Sequence, residues 1–189
     1  MDSLKFLLYT LARIGIMLAV SLFGVVCGKI FFPIIASLVP QSWGILNGFF
    51  TNPNWGSFTA WLVMLAFLAV LFYDDGKRQA AYESWSSVNV TITLLMMMLV
   101  YFVPAIFRDS FDTEGKGKVF YEFAYFPCRW LYEGAGLEYT LSVALGGGII
   151  LVCLFAMYTL SFKMYVKKHP VLLKRPEAVT ADGEQQDNE

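Results

Sequence analysis

The chain has 189 residues, 57% of them hydrophobic, 17% aromatic and only 15% charged, with a net charge of −1 and a single histidine. Soluble domains carry about a quarter charged residues, so this composition excludes an ordinary water-soluble fold. The near-neutral charge, with no long basic run outside the C-terminal tail, excludes the electrostatic footprint of a nucleic-acid binder. Cys27, Cys128 and Cys153 show no CxxC spacing and indicate neither a disulfide framework nor a zinc site, while one histidine, His169, cannot supply bis-histidine haem ligation.

The apolar residues are grouped into long runs rather than alternating, which is the pattern of helices surrounded by lipid. The first run extends from Leu4 to Val39, interrupted by Lys5, Arg13, Lys29 and a few small polar residues. Lys5 followed by apolar sequence resembles a secretory signal, and Val25-Val26-Cys27 sits where a lipoprotein cleavage site would fall. Arg13 breaks that run and valines stand where small residues are needed, so an uncleaved span is expected. Burying an arginine at mid-membrane costs about 2.5–3.5 kcal/mol on insertion scales, which places Arg13 and Lys29 at opposite faces of a span over about 8–32. Pro33 discourages a straight continuation, and 34–46 is expected to lie along the surface.

Thr51-Asn52-Pro53-Asn54 reads as a turn, with Asn54 or Ser57 capping a second span over 57–73. Trp55, Trp61 and Tyr73 match interfacial aromatic belts, and Asp74-Asp75-Gly76-Lys77-Arg78 ends the span as solvated charge. Ser86 or Ser87 caps a third span over 88–107, with Pro104 near its far end and Arg108 closing it. Asn89-Val90-Thr91 matches a glycosylation acceptor but falls at the inner membrane face, so it is read as a chance match. A fourth span covers 139–165 and ends in Lys163, Lys167 and Lys168, and the polar stretch 170–189 reads as a disordered cytoplasmic tail.

The fold expected is therefore all-α: a polytopic integral membrane protein with four transmembrane helices over 1–169 and an amphipathic interfacial segment between the third and fourth. An even number of spans puts both termini on one side. That side carries Lys5, Arg13, Lys77, Arg78, Lys163, Lys167, Lys168, Lys174 and Arg175, nine of the fourteen basic residues, and the positive-inside rule makes it the cytoplasm. The expected location is the cell membrane.

Four groups of residues are candidates for a role. Gly24 with Gly28 forms a GxxxG, and Gly15 with Ala19 forms a second small pair on the same span. The fourth span adds Ser142, Gly146, Gly147 and Gly148. Small residues four apart let helix backbones approach closely, either between copies of the chain or between the first and fourth spans of one bundle. Asn89, Thr91 and Thr93 give the third span a polar start that would line a path for a solute. Lys163, Lys167 and Lys168 suit anionic lipid. The outer connection at 118–133 is rich in aromatics, with Phe120, Phe123, Pro127, Trp130 and Leu131 on one face of a single helix, and reads as an interfacial element, a re-entrant loop or a dock for a partner.

The span cores otherwise lack ionisable residues, and GxSxG, Walker-type glycine loops and HExxH are absent. The sequence thus points to no catalytic residue, no cofactor and no metal. The expected function is that of a non-catalytic accessory, assembly or interaction subunit, partnered by the lipid bilayer and by another membrane protein or further copies of itself. The alternative is a small channel or carrier that works as an oligomer.

Overall fold

The computed structural model describes residues 3–81, 87–108 and 116–169; the expected tail and the capping serine at 86 lie outside these residues. The described residues are mostly helical, and no strand occurs among them. Helix α1 (Ser3–Val26) passes through a π-helical turn (Cys27–Phe31) into α2 (Phe32–Leu38). A short α3 (Gly44–Thr51) precedes α4 (Pro53–Ala81), α5 (Ser87–Ile106), α6 (Lys116–Ala124), a 3-10 turn (Phe126–Cys128), a second π turn (Trp130–Gly134) and α7 (Tyr139–Lys168). Four of these stretches, Leu4–Leu38, Pro53–Ala81, Val88–Ile106 and Tyr139–Lys168, are long and apolar enough to cross a membrane.

The first helix does not turn onto a surface at Pro33. The Phe32 N–H bonds the Cys27 carbonyl five residues back, and this widened turn accommodates a proline that has no N–H and whose ring would crowd an ordinary α-helical ladder. Residues 34–38 accordingly continue the same helix. The second span also starts earlier than expected: Pro53 opens it, and the Asn52 Oδ1 accepts a hydrogen bond from the Asn54 N–H at 2.9 Å. Asn52 is therefore the cap, with Pro at the first helical position where its fixed φ is favourable. Asn54 and Ser57 lie within the helix. At its other end α4 runs through the charged cluster to Ala81, giving 29 residues and a length of about 44 Å.

The four long helices form a ring in the order α1, α4, α7, α5, with each packed against its neighbours and α5 diagonal to α4 although it follows α4 in sequence. Contacts from Gly24 to Ala60, from Gly28 to Gly56 and from Arg13 to Asp75 make α1 and α4 antiparallel. Contacts from Trp61 to Gly146 and from Gly76 to Tyr158 make α4 and α7 parallel.

Each helix buries one stripe at heptad-like spacing. On α4 it runs Ser57, Trp61, Met64, Leu68, Phe72 and Asp75, and on α7 Val143, Gly147, Ile150, Leu154, Tyr158 and Ser161. Such spacing suits helices crossing at a shallow angle. The middle of the bundle is filled by Met17, Met64, Leu68, Met97 and Leu154, and a crevice beside Met17, Met97 and Leu154 has room for only about 10 Å³.

Candidate functional site

The interior holds two polar layers, one at each end of this apolar plug. The first contains an ion pair. Tyr9 and Arg13 lie one helical turn apart on α1, so both reach the same point on α4. There the Tyr9 hydroxyl donates to Asp75 Oδ2 at 2.8 Å, and the Arg13 guanidinium pairs with Oδ1. Asp75 is only 4% exposed, and the Arg13 guanidinium also sits 5.0 Å from the Tyr9 ring centroid. The expectation that Asp75 belongs to a solvated, span-ending charge cluster is corrected: Arg78 pairs with Asp74 at 2.8 Å on the exposed side, while Asp75 faces inward.

The same layer ties in the other two helices. The Tyr158 hydroxyl of α7 donates to Gln79 Oε1, one turn beyond Asp75, and the Ser161 hydroxyl donates to the Tyr73 carbonyl. Gly76 makes room for this: a Cβ there would lie 2.5 Å from the Tyr158 carbonyl oxygen. On α5, Thr93 meets the Thr10 hydroxyl of α1 at 3.1 Å and bonds the Asn89 carbonyl at 3.0 Å. All four long helices therefore join the layer that contains the ion pair.

The second layer fastens the segment between α5 and α7 to the opposite end. The Ser57 hydroxyl of α4 donates to the Phe126 carbonyl at 2.6 Å and accepts from the Trp130 N–H at 3.0 Å. Trp61 Nε1 donates to the Gly146 carbonyl at 3.1 Å, so Trp61 is a buried link between α4 and α7 and not part of a surface aromatic belt. Tyr125 donates to the Tyr101 carbonyl on α5 at 2.7 Å. Cys128 is 1% exposed beneath the Tyr101 hydroxyl, 3.8 Å away. Burial pushes its thiol up to about 12 and the Tyr125 phenol above its ordinary range; at neutral pH Cys128 is a protonated, inert thiol.

This segment does not present the face expected of one continuous helix. The chain rewinds at Tyr125 from α to 3-10 and then to π geometry, so the side that packs consists of Tyr121, Tyr125, Phe126, Pro127, Cys128 and Leu131. Pro127 and Leu131 fall where the single-helix face put them, and Trp130 is half-buried against Phe58 and Trp61. Phe120 and Phe123 point outward instead.

The small residues divide the same way. Gly24 and Gly28 face Gly56 and Ala60, a second small pair four apart on α4. A Cβ on Gly24 would come within 2.7 Å of the Ala60 carbonyl oxygen, and one on Gly28 would strike both the Gly56 carbonyl and the Phe126 ring. The GxxxG thus seats α1 on α4, not on the fourth span. Gly146 and Gly147 pack against Cys128 and Met98, and Ser142 is buried. A methyl added at Gly15 or Gly148 would meet no atom within 4 Å, and Ala19 is exposed, so these three sit on the outside of the bundle.

Asn89, Thr91 and Thr93 do not line one path. Thr93 is buried against α1, Asn89 is half-buried beside it, and Thr91 is exposed on the opposite side of α5. Lys163, Lys167 and Lys168 lie along the last turns of α7, all three exposed. Among the described residues no group of three or more His, Cys, Asp or Glu side chains stands close enough to hold a metal ion.

Sequence reasoning missed the Asp75 pairing, the Ser57 link and the Gly56-Ala60 partner. Only the last had a sequence signal, a second small pair spaced by four. No protein family, characterised protein or solved structure matches the chain.

Proposed function

We propose that the chain is an integral protein of the cell membrane, crossing the bilayer four times with both termini in the cytoplasm. On this reading it acts without catalysis, as an assembly or interaction subunit that works through helix packing. The observation that carries the proposal is an inverted distribution of polarity. Thr10, Ser57, Asp75, Thr93, Ser142 and Ser161 are buried, while Leu7, Leu11, Phe67, Val70, Leu99 and Val152 are exposed. Water would penalise that outer surface, whereas hydrocarbon accepts it and makes every inward polar group seek a partner within the bundle.

The use of those polar groups supports the subunit role. Tyr9, Thr10, Ser57, Trp61, Tyr158 and Ser161 each bond another element of the fold. With room for only about 10 Å³ in the crevice beside Met17, Met97 and Leu154, at the lower limit for one water, the interior favours a packed unit over a solute path through one copy.

Topology is tested by single cysteines at Ala135 and Lys168, both exposed, in a chain whose Cys27 and Cys153 are replaced by alanine. In intact cells an impermeant maleimide should label the A135C chain and not the K168C chain; the reverse pattern overturns the orientation, and release of the protein by alkaline carbonate overturns membrane integration. Purification in mild detergent with mass spectrometry then tests the role: a stoichiometric membrane-protein partner supports it. A homogeneous homo-oligomer that mediates solute flux in liposomes refutes it.

A further inference from the structure

We infer, on the premise of membrane integration proposed above, that the outward groove between α1, α5 and α6 binds one phospholipid, with an acyl chain in the groove and the phosphodiester at Lys29. The groove has a volume of about 310 Å³ and is lined by Leu18, Leu22 and Val25 of α1, Val100 of α5, and Phe120 and Phe123 of α6. That volume lies at the low end of small-molecule sites, and its walls are almost wholly hydrocarbon.

What selects a phospholipid over a featureless apolar contact is the cation at one end. Leu18, Leu22 and Val25 fall on one helical stripe, and Lys29 follows one turn beyond Val25, in the π turn Cys27–Phe31. The Lys29 ammonium lies 5.3 Å from the ring centroid of Phe123, itself a groove wall, and 5.0 Å from that of Phe126. The two rings hold the ammonium at the mouth of the slot by cation–π attraction. Glu122 and Arg129 are the other charges that act on Lys29, and Arg129 is engaged by Glu133 at 2.6 Å.

The mouth therefore offers a cation for a phosphate. An apolar slot ending in a cation is complementary to a phospholipid, whose phosphate the ammonium meets while an acyl chain fills the slot. Leu18 and Leu22 are about half exposed, and Phe120 is 63% exposed, so the groove opens sideways to the acyl chains around the bundle.

The test is native mass spectrometry of the full chain in mild detergent, titrated with dioleoylphosphatidylethanolamine or with dioleoylglycerol, which lacks the phosphate. One phospholipid per chain is expected, with dioleoylglycerol bound at least tenfold more weakly. Lys29→Gln and Leu22→Trp, both at exposed positions, should each weaken phospholipid binding at least fivefold. Phe155→Trp, in a separate apolar groove between α5 and α7, should leave it unchanged. Absence of a bound phospholipid, equal binding of the two lipids, or indifference to both groove variants overturns the inference. Carbonate extraction of the same chain separates this failure from that of membrane integration: a chain that stays in the membrane but retains no phospholipid refutes the groove assignment alone.

Discussion

Removing either member of the Arg13–Asp75 pair should be among the most damaging single changes available in this chain. Asp75 has two acceptor oxygens, one taken by the Arg13 guanidinium and the other by the Tyr9 hydroxyl, and is 4% exposed. In Arg13→Gln the carboxylate keeps Tyr9 but loses its counter-charge, and in Asp75→Asn the guanidinium is left facing a neutral amide. Breaking a buried pair from one side costs about 3–5 kcal/mol, because the remaining charge is stranded in a low dielectric. For a chain of this size that corresponds to a fall of roughly 6–20 °C in the unfolding midpoint. The double variant Arg13→Gln/Asp75→Asn removes both charges together, so its loss should be smaller than the sum of the single losses by about 1–3 kcal/mol. The assay is unfolding of the detergent-solubilised protein by a graded denaturing detergent, followed by circular dichroism or by the fluorescence of Trp61 and Trp130. Additive losses, or single losses below about 1 kcal/mol, a size ordinary for solvent-exposed pairs, would refute the placement of this pair inside the bundle.

Alanine at Gly24 or Gly28 should lower stability by about 1–3 kcal/mol through overpacking of α1 on α4, whereas alanine at Gly15 or Gly148, where the added methyl meets nothing, should raise it by up to about 1 kcal/mol; the same unfolding assay ranks the four. Ser57→Ala removes the acceptor of the Trp130 N–H and the donor to the Phe126 carbonyl together, and should cost about 1–3 kcal/mol while speeding amide hydrogen exchange over residues 126–134. Cys128 should resist maleimide at pH 8 until the protein is unfolded, and rapid labelling of the folded chain would contradict its burial. Its thiol also sets a pH dependence. The pKa is raised from 9.0 to about 12, so the stability linked to it is intact below pH 9 and is lost as pH rises towards 12, a loss that Cys128→Ala should reduce.

The four long helices were legible because a run of about twenty apolar residues has few other uses. The end of α4 was not legible. Asp74 and Asp75 are adjacent and identical in sequence, yet a helix turns successive residues about 100° apart, so one faces outward to Arg78 and the other inward to a partner 62 positions away. Local sequence carries no record of such a partner. The GxxxG was visible, but the helix it meets is a property of the ring order, which puts α4 beside α1 and α7. The segment between α5 and α7 misleads for a different reason: a single helical period does not hold across a stretch where the backbone changes from α to 3-10 to π at Tyr125 and Arg129. Each change shifts the phase, and so Tyr121 and Tyr125 pack inward where one continuous helix would place Phe120 and Phe123.

The buried stripe of α4 concentrates these features in one helix. Its ends are polar and its middle is apolar: Ser57 and Trp61, then Met64, Leu68 and Phe72, then Asp75 and, on its edge, Gln79. The polar ends bond the α5–α7 segment and α7 at one end and α1 and α7 at the other. On the proposed membrane reading, apolar packing alone gives little preference for one helix register over another, since lipid tails compete with neighbouring side chains on equal terms. A polar group buried at the wrong register is left unsatisfied and costs far more. Two polar layers separated by the Met64, Leu68 and Phe72 stretch therefore fix both the rotation and the axial position of α4. With Gly24 and Gly28 holding α1 close, a one-residue slip of α4 would break the Asp75 contacts and the Ser57 contacts together. The segment between α5 and α7, bonded to Ser57, is placed by the same register as the ion pair at the opposite end. It follows that variants at Asp75 should loosen the α5–α7 segment as well as their own layer, and hydrogen exchange over residues 126–134 in Asp75→Asn will show whether α4 moves as one rigid element or the two layers respond independently.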